Sequence, residues 1–140
     1  MLVVAEPLGP DERAWRSDRG SLRIRRPRLD LIVFIETGHL EAQFAPLIED
    51  ASNQALVDAY DLTGYAPSVR KGPTDWLNRN RSSVAVQHML VRSKLTKMGL
   101  SVASLALGGL LRGHASRASF RLALEETMRR LAQQDRMAGR

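Results

Sequence analysis

Apolar and polar residues alternate with two different periods along this chain, and the change of period divides it. Leu22 and Ile24 interleave with Arg23 and Arg25, the period of two that gives a strand one buried and one wet face. Pro27 ends that run. After Asp30 the unbroken stretch Leu31, Ile32, Val33, Phe34 and Ile35 has the branched and aromatic character of a buried strand. Linked through Arg26, Pro27 and Arg28, the two form a candidate N-terminal β-hairpin over 21–36, which needs helices to lie on because a two-stranded ribbon is marginal alone. Thr37 and Gly38 close the second strand. Beyond them the spacing turns helical: Leu40, Phe44, Leu47, Ile48, Ala51, Ala55, Leu56, Ala59 and Tyr60 fit one or two helices. Pro46 would cost about 3 kcal/mol in a helix interior, so it is placed in the first turn of a helix ending near Tyr60. Gly64, Pro67, Gly72 and Pro73 then mark an ordered loop.

The clearest helical pattern covers 83–98, 101–111 and 116–137. Each segment opens on a serine suited to an N-cap, and Gly99 and Gly113 follow the first two, where a left-handed residue is often needed. The first carries the stripe Val84, His88, Val91, Leu95, Met98; the second is rich in small residues; the third turns Phe120, Ala123, Leu124, Met128 and Leu131 inward. The pattern therefore predicts a mainly α chain: an irregular lead over 1–20, then a single domain over 21–137 of four or five helices with the candidate hairpin at its start. Within it lie an acidic helical part over 39–61, a loop over 62–75 and a helical core over 76–137.

Charge sharpens this division. The chain of 140 residues has a net charge of +6 and no cysteine. Residues 1–12 carry −3, 13–28 carry +6, 29–69 carry −7 and 70–140 carry +10. Of 21 basic residues 18 are arginine, which suits forked contacts to phosphate or guanine, although a GC-rich genome gives the same bias. A basic excess favours a polyanionic partner. The expected function is non-catalytic nucleic-acid binding, with double-stranded DNA as the expected form. Arg23, Arg25, Arg26 and Arg28 would track phosphates, and Arg70 and Lys71 would extend that surface. The turn Arg112, Gly113, His114, Ala115 between the second and third segments has the length of a helix-turn-helix. Its second helix would offer Ser116, Arg117 and Arg121 to bases, with His114 nearby. The alternative is a helical interaction or assembly protein, in which the acidic block meets the basic block of another copy or an acidic partner docks on the arginines.

Lys71, Gly72, Pro73, Thr74, Asp75, Trp76 and Leu77, followed by Arg79 and Ser83, resemble the short run ending in aspartate, tryptophan and leucine of KilA-N domains, DNA-binding modules of phages and DNA viruses. The likeness covers barely one tenth of the chain and lacks the tryptophan-bearing helix that should follow, so Trp76 is read as an aromatic anchor for the loop. Catalysis has little support. Glu36, His39 and Glu41 cluster after a strand, yet the two-histidine zincin spacing is absent; His88 reads as a core or boundary residue bonded to a backbone carbonyl. No cofactor, metal or enzymatic activity is expected. The longest uncharged run, 98–111, has 14 residues, short of a membrane span; the first ten residues lack the basic lead of a secretory signal. A cytoplasmic setting suits the absence of cysteine.

Overall fold

The computed structural model describes residues 4–9, 12–28, 30–50, 55–80, 82, 86–92 and 109–139. Among them seven strands join edge to edge in chain order: β1 (Val4–Gly9), β2 (Glu12–Arg16), β3 (Gly20–Arg28), β4 (Leu31–Leu40), β5 (Ala55–Tyr65), β6 (Gln87–Leu90) and β7 (Leu111–His114). The first four form an antiparallel meander, and β4 to β7 pair in parallel. The described helices are α1 (Ala45–Asp50), led in by a 3-10 turn at Ala42–Phe44, α2 (Ser68–Arg79) and α3 (Arg117–Met137). The expectation of a mainly α domain is overturned: this is an α/β fold on a mixed sheet.

The hairpin expected over 21–36 forms, with Leu22 opposite Glu36 and Ile24 opposite Phe34, and it belongs to a larger sheet. Gly38 does not end β4. It sits opposite Gly20 with φ of 66°, and a Cβ on it would lie 2.3 Å from the Arg19 carbonyl oxygen. Paired glycines let the two backbones approach there and carry β4 on to Leu40. The stretch expected to be an irregular lead instead supplies β1 and β2, whose residues pair with each other and with β3.

Three further corrections concern the part of the chain that supplies β5, α2, β6 and β7. The acidic part over 39–61 divides into α1 and the first half of β5, and the loop over 62–75 divides between the end of β5 and α2. In the core expected over 76–137, β6 and β7 replace helix at Gln87–Leu90 and Leu111–His114. Parallel strands covered on both faces lose the alternation that marks a half-wet strand, so their apolar residues mimic helical spacing. In β5, Leu56 packs toward one face and Val57 toward the other. Of the segments expected at 83–98 and 101–111, residues 83–85, 93–98 and 101–108 lie outside the described residues. The third segment folds as expected: Ser116 caps α3, its Oγ accepting from the Ser119 N–H at 3.1 Å.

Helices cover both faces of the sheet. Leu22, Ile24, Ile32 and Phe34 pack against Phe44, Ile48 and Val69, closing one face under α1 and α2. On the other face Leu31, Leu56 and Leu90 meet Phe120 of α3, flanked by Leu124, Met128 and Leu131. No helix among the described residues is long and apolar enough to cross a membrane.

Candidate functional site

Under α2 the sheet does not close completely. A cavity of about 610 Å³ lies between β5, β6 and α2, walled by Phe34, Val57, Leu62, Trp76, Leu77 and Met89. Its lining is mostly apolar, and Arg70, Arg92, His88, Thr63, Thr74 and Gln87 are its main polar members. Alternation places it here: Phe34 and Val57 are register partners on β4 and β5, and Met89 is the partner of Val57 on β6. The helix supplies Trp76 and Leu77 one turn beyond Pro73. Trp76 is thus a cavity wall within α2, and not the anchor of a loop.

Arg70 joins this cavity to a buried acid. Its guanidinium donates to Glu36 Oε1 and lies over the Tyr65 ring, 5.0 Å from the centroid. Glu36 is wholly buried, and its Oε2 has no hydrogen-bond partner among the described residues. Burial pushes its carboxyl above the ordinary value, while the charge and hydrogen bond of Arg70 pull it back. The candidate metal trio is not assembled: Glu36 is committed to Arg70 and Glu41 to Arg19 at 3.1 Å.

The arginines expected on an open face meet acids instead. Arg23 and Arg25 share Glu12 at 2.6 and 3.3 Å, Arg28 joins Asp30 and Asp135, and Lys71 reaches Asp75 at 3.0 Å. Arg117 contacts Asp58 at 3.1 Å and Asp61 at 3.5 Å while lying 4.6 Å from the Tyr60 centroid. Arg92 approaches the same ring at 4.8 Å and bonds Asp61 at 2.8 Å. Arg26 and Arg121 make no ion pair among the described residues. The ten expected site residues are therefore not one patch: Arg23, Arg25, Arg26 and Arg28 lie on β3, Arg70 and Lys71 on α2, and the rest around the start of α3.

The helix-turn-helix expectation fails on the same ground. Arg112, Gly113 and His114 are hydrogen-bonded strand, with the Val91 N–H donating to the His114 carbonyl at 2.8 Å, and Ser116 is spent on capping. His114 has a different role. Its ring is buried, with Nε2 2.8 Å from His88 Nδ1 and Nδ1 2.6 Å from Ser119 Oγ. Among the described residues His88 is thus bonded to another imidazole and not to a backbone carbonyl. Desolvation first, then His114, Arg112 and Arg130, lower its pKa from 6.5 to about 4. Sequence reasoning singled out both histidines but had no means of joining them, because they lie on adjacent parallel strands 26 residues apart.

No protein-family model matches the chain, and no curated protein matches it. Among solved structures it is similar to an uncharacterized protein of the DUF3478 family with a SpoIIAA-like fold from Shewanella loihica PV-4. The two are 18% identical over 74% of this chain and 94% of that one, with a TM-score of 0.52. At that identity the likeness is one of fold, and the α/β architecture described above is of the SpoIIAA-like type.

Proposed function

We propose that the protein binds a small molecule with an apolar body and a carboxylate end in the cavity under α2. The cavity itself carries this reading: about 610 Å³ of apolar-lined space with an arginine in its wall, within the size range of small-molecule sites. Arg70 spends part of its donor fork on Glu36, and a guanidinium has five N–H donors, so a ligand carboxylate has donors to meet. Trp76 lines the cavity, and its emission reports occupancy once Trp15 is replaced by Phe. Titration with dodecanoate should give a saturable change, and dodecanol should bind about tenfold more weakly for want of the charge. Ala59→Leu, which fills space in the same wall, should weaken both. Equal binding by Ala59→Leu would sink the proposal.

A second reading is supported by one observation. Arg23 and Arg25 share the single carboxylate of Glu12, which leaves the β2–β3 sheet surface with surplus positive charge for nucleic acid, DNA being the expected form, or for an acidic protein or second copy of the chain. Binding of random duplex DNA should then fall steeply with salt, and Arg23→Ala with Arg25→Ala should flatten that slope. Non-catalytic action and a cytoplasmic setting belong to the same reading.

A further inference from the structure

We propose that Ser119 is an activated nucleophile, with His114 as its general base and His88 as the residue that positions His114, and that it takes acyl groups from activated esters. His114 and Ser119 lie on the α3 side and do not line the cavity, whereas His88 borders both; acylation of Ser119 and ligand titration of the cavity are separate readouts, so the two proposals can fail separately. Three polar groups from three elements meet in one line: Ser119 in the first turn of α3, His114 at the end of β7 and His88 in β6. Both links are within hydrogen-bond range, at 2.6 and 2.8 Å, which is the reach that proton transfer in a triad requires.

The tautomers follow from counting donors. A neutral imidazole has one donor and one acceptor. If His114 Nδ1 accepts from the Ser119 hydroxyl, its Nε2 carries the other proton and donates to His88 Nδ1. That needs a neutral His88, and two imidazoles in this contact cannot both be protonated because each would offer only donors. Burial and the charges of Arg112 and Arg130 keep His88 neutral at pH 7. The second ring then fixes the orientation and tautomer of the first, the role an orienting group has in nucleophile–base–orienter sites.

Access divides in the sense such a site needs. His114 is buried and Ser119 is exposed, so the base is shielded while the hydroxyl meets solvent. The Ser116 cap holds the Ser119 backbone, and Phe120 sets its ring edgewise against His114 at 6.2 Å. A purely structural relay would also satisfy a buried histidine, but it would leave the hydroxyl no more reactive than any other.

In the step, a lone pair on Ser119 Oγ forms a bond to the acyl carbon as the hydroxyl proton passes to His114 Nδ1. The bond from that carbon to the leaving oxygen breaks, and His114 returns the proton to the leaving group. Water then hydrolyses the Ser119 ester, releasing the acid and restoring the hydroxyl.

The test uses p-nitrophenyl acetate on the full chain, followed by release of p-nitrophenol, intact mass and peptide mapping. One acetyl group should appear on Ser119 and be lost in Ser119→Ala. His114→Gln should slow acylation about a hundredfold or more. His88→Ala should slow it about tenfold, and His88→Asn, which keeps an acceptor near the Nδ1 position, should restore most of the rate; a merely structural role for His88 predicts no such recovery in a folded protein. Should His114→Gln not fold, Ser119→Cys serves, because the chain has no other thiol. Iodoacetamide should alkylate it about tenfold faster than an Ala138→Cys control, whose site is exposed. Acetylation elsewhere with Ser119 untouched, or equal alkylation of the two thiols, would overturn the proposal.

Discussion

On the α1/α2 face Arg70 meets Glu36, whose carboxylate is completely enclosed, whereas in the first half of β5 Arg117 meets Asp58, and both partners reach water. The two pairs use the same chemistry at different depths. Solvent screens the second pair and lets either partner be lost cheaply. The first lies where an unpaired charge has nowhere to go. The α3 face buries imidazole rather than carboxylate, and a buried base responds to acid in the opposite sense from a buried acid. Depth and sign, more than the number of charges, therefore decide what each arginine in this basic chain does.

The strongest attempts to break that comparison remove one member of a buried set. Arg70→Met should cost about 3–5 kcal/mol at neutral pH, since it strands Glu36 without its cation, and urea unfolding would show it as a lowered midpoint with little change in slope. Arg70→Met with Glu36→Leu should recover most of that loss; a double variant as unstable as the single one would mean that packing, not charge, holds this corner. Phe44→Ala on the same face, where the ring is fully buried, should cost about 3–5 kcal/mol through the cavity it leaves. Gly38→Ala should cost about 1–3 kcal/mol for a side chain at positive φ, with the clash against the Arg19 carbonyl adding to it.

Opposite pH responses sharpen the contrast between faces. His88 has a folded pKa near 4 against an ordinary 6.5. Its contribution to stability is therefore present above pH 6.5 and is lost as pH falls toward 4, because the unfolded chain binds the proton first. Glu36 is raised instead, so the folded state holds its proton more tightly and stability falls as pH rises above about 4.5, where the unfolded carboxyl ionises. Relative to the parent chain, His88→Gln should gain stability on acidification below pH 6.5, and Glu36→Gln should gain on raising the pH above 4.5. Unfolding free energies across pH 4 to 7 measure both. Parallel curves for parent and variants would mean that neither group is perturbed as described.

How much of this was readable in the chain depends on whether the signal was local. Ser116 and the inward stripe of Phe120, Ala123, Leu124, Met128 and Leu131 specify α3 within one segment, and all five apolar residues pack or are buried as that stripe requires. Leu22, Ile24 and the run from Leu31 identify the hairpin for the same reason, because alternation needs only nearest neighbours. Strands β6 and β7 gave no such signal. Each has four residues and neither contains a β-branched residue or a Phe, Tyr or Trp; they are strands because their backbones pair with β5 and with each other across long sequence separations. The site was lost with the topology, since Glu36 finds Arg70 34 residues away and His88 finds His114 26 residues away. The charge blocks were real as composition. In the fold Asp58 and Asp61 of the acidic block face Arg92 and Arg117 of the basic one, so part of each block is paired with the other inside one molecule while the net charge of +6 remains.

Arg117→Ala is the smallest expected effect and tests the depth argument most directly. Arg117 is about half exposed, as is Asp61, and Asp58 is partly exposed, at 17%; pairs with an exposed partner contribute about 0.2–1 kcal/mol, and the contact over Tyr60 adds roughly 0.5–1 kcal/mol at an exposed site. The whole change should thus stay near 1 kcal/mol. A cycle with Asp58→Asn should give a coupling that shrinks as salt rises from 0.02 to 0.5 M, because exposed pairs are screened over distances of about 10 Å or less. The matching cycle for Arg70 and Glu36 should be several times larger and nearly independent of salt. If the two couplings came out equal, burial would not be what separates the two faces, and the stability assigned to the enclosed pair would have to come from the apolar wall around it.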